Sequence, residues 1–235
     1  MKLIWKERGP LLAIALIGGG VWFFAELADE VLEGETHAVD RTILLALRNP
    51  ADHEDPLGPR WVEEMARDMT ALGGTLVVAS LSLAVTGFLV LDRKRAAARL
   101  VIFAVLSGFV LSHGLKLIFS RDRPDLVTHG SYVATSSFPS GHSMLAAVVY
   151  LTLAALLMRV QPRVHVKAYV LALALALTLG VGVSRVYLGV HWPTDVLAGW
   201  AAGGTWALLW WSVARQLQRR GRLEPEVSEP SPCDG

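Results

Sequence analysis

The chain has 235 residues, of which 53% are hydrophobic and only 18% are charged, and its mean hydropathy is +0.43. This composition excludes an intrinsically disordered chain and is atypical of a water-soluble domain. The 22 Lys and Arg nearly balance the 21 Asp and Glu, so the chain lacks the basic surplus with which proteins bind nucleic acids. The one cysteine, Cys233, can form neither an intramolecular disulfide nor a cage of thiolate ligands.

Six stretches of the chain are long and apolar enough to cross a bilayer. A helix rises about 1.5 Å per residue, so about 20 residues span the roughly 30 Å hydrocarbon core. The stretches are residues 11–28, 72–91, 100–118, 142–158, 166–183 and 196–214. Their unbroken apolar runs differ from the short alternating segments of a membrane barrel. The sequence therefore predicts an all-α polytopic membrane bundle of six transmembrane helices.

Lys and Arg are distributed unevenly between the connections. They are concentrated before the first stretch, between the second and third, between the fourth and fifth, and after the sixth. A positive excess marks the cytoplasmic side, so we expect both termini in the cytoplasm. The first stretch is alternatively a signal peptide, although no A-x-A cleavage site follows it. A bacterial inner membrane is expected, mainly by analogy with compact relatives and because no organelle address is recognisable.

The connection of residues 29–70, which this topology places outside the membrane, is too long for a plain loop. Apolar residues at helical spacing predict two short helices: Val39, Ile43, Leu44 and Leu47, and then Trp61, Met65 and Met69. We expect Thr36 to cap the first of these helices and Asn49-Pro50 to end it. They are either interfacial helices that rest on the headgroups or a lid that guides entry. Residues 1–222 are predicted to form a single membrane domain with its core at 69–214, followed by a disordered tail at 223–235.

Polar and charged side chains lie at the outer ends of the later stretches, where they are costly to place. They form three segments: Lys116 to Arg123-Pro124, Pro139-Ser140-Gly141-His142, and Ser184-Arg185 to His191 and Asp195. Each segment alone has an ordinary explanation, such as a lysine that extends to water, a serine N-cap or an interfacial anchor. Together, Lys116, Arg123 and Arg185 place three cations beside two helix N-termini, a combination that suits phosphate. Two histidines and a carboxylate add an acid, a nucleophile and an orienting group.

The three segments read K-x6-R-P, P-S-G-H and S-R-x5-H-x3-D. In these motifs the sequence resembles the type 2 phosphatidic acid phosphatases, also called lipid phosphate phosphatases. Every specified position matches, in the same order and with the same internal spacing. The resemblance extends over about residues 69–214, including the number of spans, and says little about the residues on either side.

The resemblance implies a role for each motif residue. His191 is expected to attack phosphorus and form a phosphohistidine, and Asp195 to accept the N–H of the His191 ring. His142 is expected to protonate the leaving alkoxide and then to activate water. The phosphate oxygens are expected to be held by Lys116, Arg123, Ser140, Gly141 and Arg185. No metal or other cofactor is implied, since these cations take the place of magnesium.

The activity implied is removal of the terminal phosphate from a lipid phosphate or pyrophosphate at the outer membrane surface. The expected substrate classes are phosphatidic acid, phosphatidylglycerol phosphate, undecaprenyl pyrophosphate and lipid A phosphates. Two alternatives remain: a lipid phosphotransferase with the same site, and a transporter or binding protein that holds an anionic lipid without chemistry. The soluble vanadate-dependent haloperoxidases share the motifs, but six spans argue against that activity. The physiological lipid and the oligomeric state are left open.

Three polar residues near the first motif are not specified by it. Arg121 and Asp122 are expected to form a local surface ion pair or a backbone contact. His113 lies three residues before Lys116 on the same helix face. It either lines the pocket or packs between helices, and packing is the favoured interpretation.

Overall fold

The computed structural model describes residues 2–125 and 136–223 and is mostly helical. Its elements, in chain order, are α1 (Lys2–Glu33), α2 (His37–Leu45), β1 (Arg48–Asn49), β2 (Asp52–Pro56), α3 (Arg60–Ala71), α4 (Thr75–Leu91), α5 (Arg95–Ile118), α6 (Gly141–Val160), α7 (Val164–Tyr187) and α8 (Pro193–Arg219). The six long helices α1 and α4 to α8 coincide with the six predicted apolar stretches. The predicted helical membrane architecture is therefore confirmed, whereas the number of spans is a separate question.

Length and apolar composition identify four or five spans in the described part of the chain. Four helices qualify individually: Gly9–Glu33, Arg95–Ile118, Gly141–Val160 and Val164–Tyr187. Helices α3 and α4, which meet at a bend of 48°, qualify only as a pair. Helix α8 does not qualify, because its many glycines and tryptophans lower its mean hydropathy. The prediction of a sixth span in α8 therefore stays a prediction.

Much of the surface of the long helices is apolar, as expected for helices in lipid. On α1, for example, Leu11, Ile14 and Trp22 are 65%, 67% and 66% exposed. A continuous apolar surface of this kind marks a membrane contact rather than a water-facing one. The outward faces thus support an integral membrane protein.

Helix α6 is the most enclosed helix and packs against both α7 and α8. Two glycines of α8 permit this close approach. A β-carbon at Gly203 would lie 2.5 Å from the carbonyl oxygen of Met144, and one at Gly199 would lie 2.8 Å from that of Ser140. The close packing brings together the first turns of α6 and α8. The ends of α5 and α7 lie beside them, and we call this end of the bundle the mouth.

The segment between α1 and α4 differs from the prediction in two respects. Helix α2 ends at Leu45 rather than at Asn49-Pro50, and an antiparallel hairpin of β1 and β2 follows it. These strands were not predicted, because they are short and polar and lack an alternating pattern. Thr36 occupies the N-cap position of α2, but its side chain makes no capping hydrogen bond. Its hydroxyl instead accepts a long hydrogen bond from Arg121 Nη2, at 3.4 Å.

Helix α2 is docked onto the mouth. Its buried residues are Asp40 and Leu44, whereas Val39 and Ile43 of the predicted apolar face are exposed. Leu44 packs against residues at the end of α7 and the start of α8, including Trp192. Helix α3 packs along α7. The interfacial and lid roles of α2 and α3 both stay predictions.

The end of the described chain is better packed than the sequence indicated. Leu223, the first residue of the predicted disordered tail, is buried in a core cluster with residues of α4, α5, α6 and α8. The rest of that predicted tail, residues 224–235, lies outside the described residues.

Candidate active site

A cavity of about 1040 Å³ opens at the mouth. Six of the eight predicted site residues line it: Lys116, Arg123, Gly141, His142, Arg185 and His191. The other two, Ser140 and Asp195, are fully buried behind this lining. The structure therefore brings all three motifs to one place, although they come from α5, α6, α7, α8 and two connections.

His191 and Asp195 form a hydrogen-bonded pair at the start of α8. Gly189, with a φ of 72°, turns the chain sharply after α7, and α8 begins at Pro193. The Nδ1 of His191 lies 3.2 Å from Asp195 Oδ2, which also accepts the backbone N–H of Trp192 at 3.0 Å. A carboxylate can only accept, so the ring carries its proton on Nδ1. Nε2 is therefore unprotonated, and its lone pair accepts from Arg123 Nη1.

The imidazole of His191 is neutral at about pH 7. The side chain is almost fully buried, and this burial lowers its pKa from 6.5 to about 4. The hydrogen bond and the charge of Asp195 act in the opposite direction but are outweighed. On the cavity side, Nε2 lies 3.3 Å from Arg123 Nη1. A neutral ring beside a cation is suited to attack on an anion held by that cation.

The three cations predicted to bind phosphate are held by oxygen atoms of the surrounding chain. Lys116 Nζ donates to the carbonyl of Ser136 at 2.8 Å. Arg123 Nη1 donates to the carbonyl of Val190 at 2.9 Å, and Arg185 Nη1 donates to the hydroxyl of Thr70 at 3.1 Å. An ammonium has three N–H donors and a guanidinium has five, so further donors remain for an anion.

The N-terminus of α6 contributes a close approach and a cap. A β-carbon at Gly141 would lie 3.2 Å from Lys116 Cε, so glycine leaves room for the lysine. The Ser140 hydroxyl accepts from the backbone N–H and the hydroxyl of Ser143, at 3.5 and 2.9 Å. It is thus an N-cap in this structure, and its predicted contact with phosphate stays a prediction. His142, in the first turn, lines the cavity.

Arg121 makes contacts in the site that the sequence did not predict. The expected local surface pair is wrong for this residue, whose side chain is only 14% exposed. Its Nη1 donates to Asp195 Oδ1 and its Nη2 to Asp40 Oδ2, both at 2.7 Å. The sequence feature that could have indicated these contacts was the position of Arg121 inside the first motif. The main-chain carbonyl of Asp122 accepts from Trp192 Nε1 at 2.9 Å, and the predicted role of its side chain stays a prediction.

His113 also differs from its favoured interpretation. It does not pack between helices but is exposed and lines the cavity, with Nδ1 3.0 Å from the carbonyl of Phe109. Its spacing of three residues from Lys116 had indicated this alternative.

The described residues hold no group of three His, Cys, Asp or Glu side chains arranged to bind a metal ion. The charged side chains that line the cavity are those of Lys116, Arg121, Arg123 and Arg185 and of two acidic residues, Asp122 and Asp125. Independence from metal ions stays a prediction, which requires an assay.

Comparisons with known proteins agree with the three motifs. A sequence model described as the PAP2 superfamily matches residues 96–219. Phosphatidylglycerophosphatase B of Bacillus subtilis is 34% identical over 190 residues, which cover 77% of this chain and 86% of that protein. A lipid A 1-phosphatase of Rhizobium etli is 27% identical over 174 residues, which cover 64% of this chain and 71% of the relative.

A solved structure resembles this chain over most of the length of both proteins. It is the crystal structure of a transmembrane PAP2 type phosphatidylglycerolphosphate phosphatase from Bacillus subtilis, with a TM-score of 0.75 and 29% sequence identity. The similarity covers 86% of this chain and 98% of that chain.

Proposed function

The chain belongs to the PAP2 superfamily, and from this premise we propose that it is an integral membrane phosphatase acting on a lipid phosphate or pyrophosphate. One observation supports this proposal more strongly than any other. The neutral His191, oriented by Asp195, faces the same cavity as the cations of Lys116, Arg123 and Arg185. A site that only bound an anion has no use for an oriented nucleophile.

The first step is attack of His191 Nε2 on phosphorus. The P–N bond forms as the P–O bond to the lipid breaks, and the Nδ1 proton stays hydrogen-bonded to Asp195, which stabilises the positive ring. His142, which takes up a proton when the anionic phosphate occupies the cavity, gives this proton to the departing alkoxide. The products of this step are a phosphohistidine and the lipid alcohol, or the lipid monophosphate where the substrate is a pyrophosphate.

The second step returns the enzyme to its starting state. His142, now neutral, takes a proton from water as the water oxygen attacks phosphorus. The P–N bond breaks, inorganic phosphate leaves, and its departure restores the neutral ring of His191. The same two residues thus serve both steps, with His142 changing from acid to base.

Charge stabilisation comes from the cations and from the N-terminus of α6. Phosphoryl transfer spreads negative charge over three equatorial oxygens, and positioned donors reduce the barrier without moving during the reaction. Lys116, Arg123 and Arg185 supply these donors, together with the backbone at Gly141 and the hydroxyl of Ser140. Because this set supplies the positive charge, the proposed reaction needs no metal ion.

A lipid substrate fits the surroundings of the cavity. Leu117 at the end of α5 lines the cavity and is 87% exposed, and the adjacent Ile118 is 72% exposed. Both lie at the mouth, where a bound phosphate can stay in water while the acyl chains lie against the apolar helix surface. The substrate classes are phosphatidic acid, phosphatidylglycerol phosphate, undecaprenyl pyrophosphate and lipid A phosphates. The named activities of the relatives support this class without selecting one lipid.

The proposed location is the bacterial inner membrane, with both termini in the cytoplasm and the mouth facing outward. The positive charge of the connections opposite the mouth supports this orientation. A phosphotransferase would use the same residues and differ only in replacing water by a lipid acceptor.

Phosphate release by the purified protein tests the proposed function. The protein in detergent is given the four lipid classes, and inorganic phosphate is measured for the unmodified chain, for His191→Ala and for His165→Ala. His165 is exposed at the start of α7, outside the cavity, and serves as the matched control. We expect release from at least one lipid by the unmodified chain and the control, and none by His191→Ala.

Two other results would change the conclusion. Lipid binding without release by the unmodified chain would favour a transporter or binding protein. Isotopically labelled water separates the two enzyme alternatives, because only hydrolysis places the label in the released phosphate.

A further inference from the structure

Arg121 bridges two buried carboxylates from opposite parts of the chain. Its Nη1 donates to Asp195 Oδ1 and its Nη2 to Asp40 Oδ2, both at 2.7 Å. Both carboxylates are fully buried. The two terminal nitrogens of Arg121 are therefore engaged by the protein, although the residue lines the cavity.

Asp40 is fixed to the same helix as Asp195. Its Oδ1 accepts the backbone N–H of Thr194 at 3.0 Å, and its Oδ2 accepts the Thr194 hydroxyl at 2.6 Å. Arg121 Nη1 is also within 2.8 Å of that hydroxyl. Helix α2 thus holds the first turn of α8 through a network in which each carboxylate oxygen has a donor.

The network determines how Asp195 meets His191. Oδ2 accepts from His191 and from the backbone of Trp192, while Oδ1 is held by Arg121. Because both oxygens are hydrogen-bonded, the Asp195 carboxylate is held in one orientation. The His191 ring that is hydrogen-bonded to it is therefore also held in one orientation. Removal of Arg121 leaves Asp40 and Asp195 as neighbouring buried carboxylates without their shared cation. The loss of this cation removes one of the charges that favour the ionised form of Asp195.

We propose that Arg121 and Asp40 are positioning residues for phosphoryl transfer, which act on His191 through Asp195. This inference rests on the proposed function, because it assigns a role in that reaction. Arg121 keeps Asp195 ionised and oriented, and Asp40 balances the charge of Arg121 and holds its guanidinium in place. The segment before α4 is thereby part of the catalytic architecture, not only a cover over it.

The test compares four variants of the full-length protein in detergent: Arg121→Gln, Arg121→Lys, Asp40→Asn and Arg48→Gln. Arg48 is the matched control, because it is a buried arginine of the same outer segment whose Nη2 donates to the Tyr187 carbonyl at 2.8 Å, away from the His191 ring. For each variant, kcat and KM are measured on a lipid phosphate that the unmodified protein hydrolyses. Thermal unfolding and gel filtration give the folded fraction.

We expect Arg121→Gln to lower kcat by about 10- to 100-fold, the usual effect of removing a group that orients a reactive one. KM should change by less than about threefold, since Arg121 acts on the enzyme's nucleophile rather than on the substrate. Arg121→Lys keeps the charge but cannot bridge both carboxylates, so its kcat should lie between those of the unmodified protein and the Gln variant. Asp40→Asn should also lower kcat. Arg48→Gln should lose thermal stability but keep its kcat per folded molecule.

Two results would overturn the inference while the proposed function stands. In one, Arg121→Gln and Asp40→Asn keep the kcat of the unmodified protein, or lose activity only as the folded fraction falls, as in Arg48→Gln. In the other, the variants raise KM and leave kcat unchanged, which would make Arg121 a substrate ligand. If Arg121→Gln does not fold, Arg121→Lys and Asp40→Asn decide by the same criteria. An unmodified protein that hydrolyses no lipid phosphate overturns the proposed function, and this inference with it.

Discussion

Ser140 donates its backbone N–H to the carbonyl oxygen of Asp195 at 2.9 Å. This one hydrogen bond joins the N-cap of α6 to the first turn of α8. The second and third motifs, which are far apart in the sequence, thus share a rigid frame, and His142 and His191 extend from it into one cavity. The frame depends on the close packing of α6 and α8 along their length.

Gly203→Ala should destabilise the protein by about 1–3 kcal/mol, because a β-carbon there would lie 2.5 Å from the Met144 carbonyl oxygen and overpack the interface. Gly204→Ala is the matched control, since no atom lies within 4 Å of a β-carbon at that position. The control should be neutral or gain up to about 1 kcal/mol from the higher helix propensity of alanine. Thermal unfolding in detergent measures both variants. Equal stability of the two would show that α6 and α8 are not closely packed at Gly203.

Lys116→Met should lower kcat/KM on the order of 10²- to 10³-fold, because it removes one positioned cation from the phosphate and leaves a side chain of similar length. Lys94→Met, just before the other end of α5, is the control, since Lys94 pairs with Asp92 there and does not line the cavity. Its kcat/KM should match that of the unmodified protein. Steady-state kinetics on a hydrolysed lipid phosphate measures both. A decrease of less than threefold for Lys116→Met would remove this lysine from the site.

The ring of His191 should stay neutral in mildly acidic buffer, because burial lowers its pKa to about 4. Histidine ring NMR over a pH series, with the His191 signal assigned by its loss in His191→Ala, measures this directly. No inflection is expected between about pH 5 and pH 8. A midpoint near the ordinary value of 6.5 would mean that the ring is solvated rather than buried.

The same pKa shift has a consequence for stability. A histidine in the unfolded chain titrates near 6.5, so between that pH and about 4 the unfolded state binds a proton that the folded state does not. The contribution of His191 to stability is therefore complete above about pH 6.5 and is lost as the pH falls toward 4. Replacement of His191 by Gln, which cannot titrate, should flatten the pH dependence of thermal unfolding in this window.

Turnover should persist in EDTA, because the proposed charge stabilisation comes from lysine and arginine side chains. The assay compares phosphate release before and after exhaustive chelation, and again after addition of magnesium. The three rates should agree. A loss in EDTA that magnesium restores would contradict a metal-independent reaction.

The sequence predicted those parts of the site whose residues are close together in the chain. Residues within one motif are near each other in the chain, so the spacing of His191 and Asp195 placed both at the start of α8 without knowledge of the fold. Hydropathy likewise located the long helices, because burial in lipid requires apolar runs. Helix α8 lies at the limit of that criterion, since glycines that permit close packing with α6 also reduce its hydropathy.

Contacts between residues that are far apart in the chain could not be predicted from the sequence. Arg121 is 74 residues from Asp195 and 81 residues from Asp40, and no periodicity links positions so far apart. Inside a motif rich in charges, Arg121 resembled a surface residue. The hairpin between α2 and α3 was missed for a different reason: its strands are short and polar, and they form only where α2 and α7 support them.

Trapping of the covalent intermediate tests the central claim most directly. The protein is mixed with a lipid phosphate that carries a radiolabelled terminal phosphoryl group, quenched in alkali, which preserves phosphohistidine, and analysed by peptide. We predict label on the peptide that contains His191 and none in His191→Ala. Phosphate release by a protein that carries label on another residue, or by His191→Ala at the normal rate, would contradict the account.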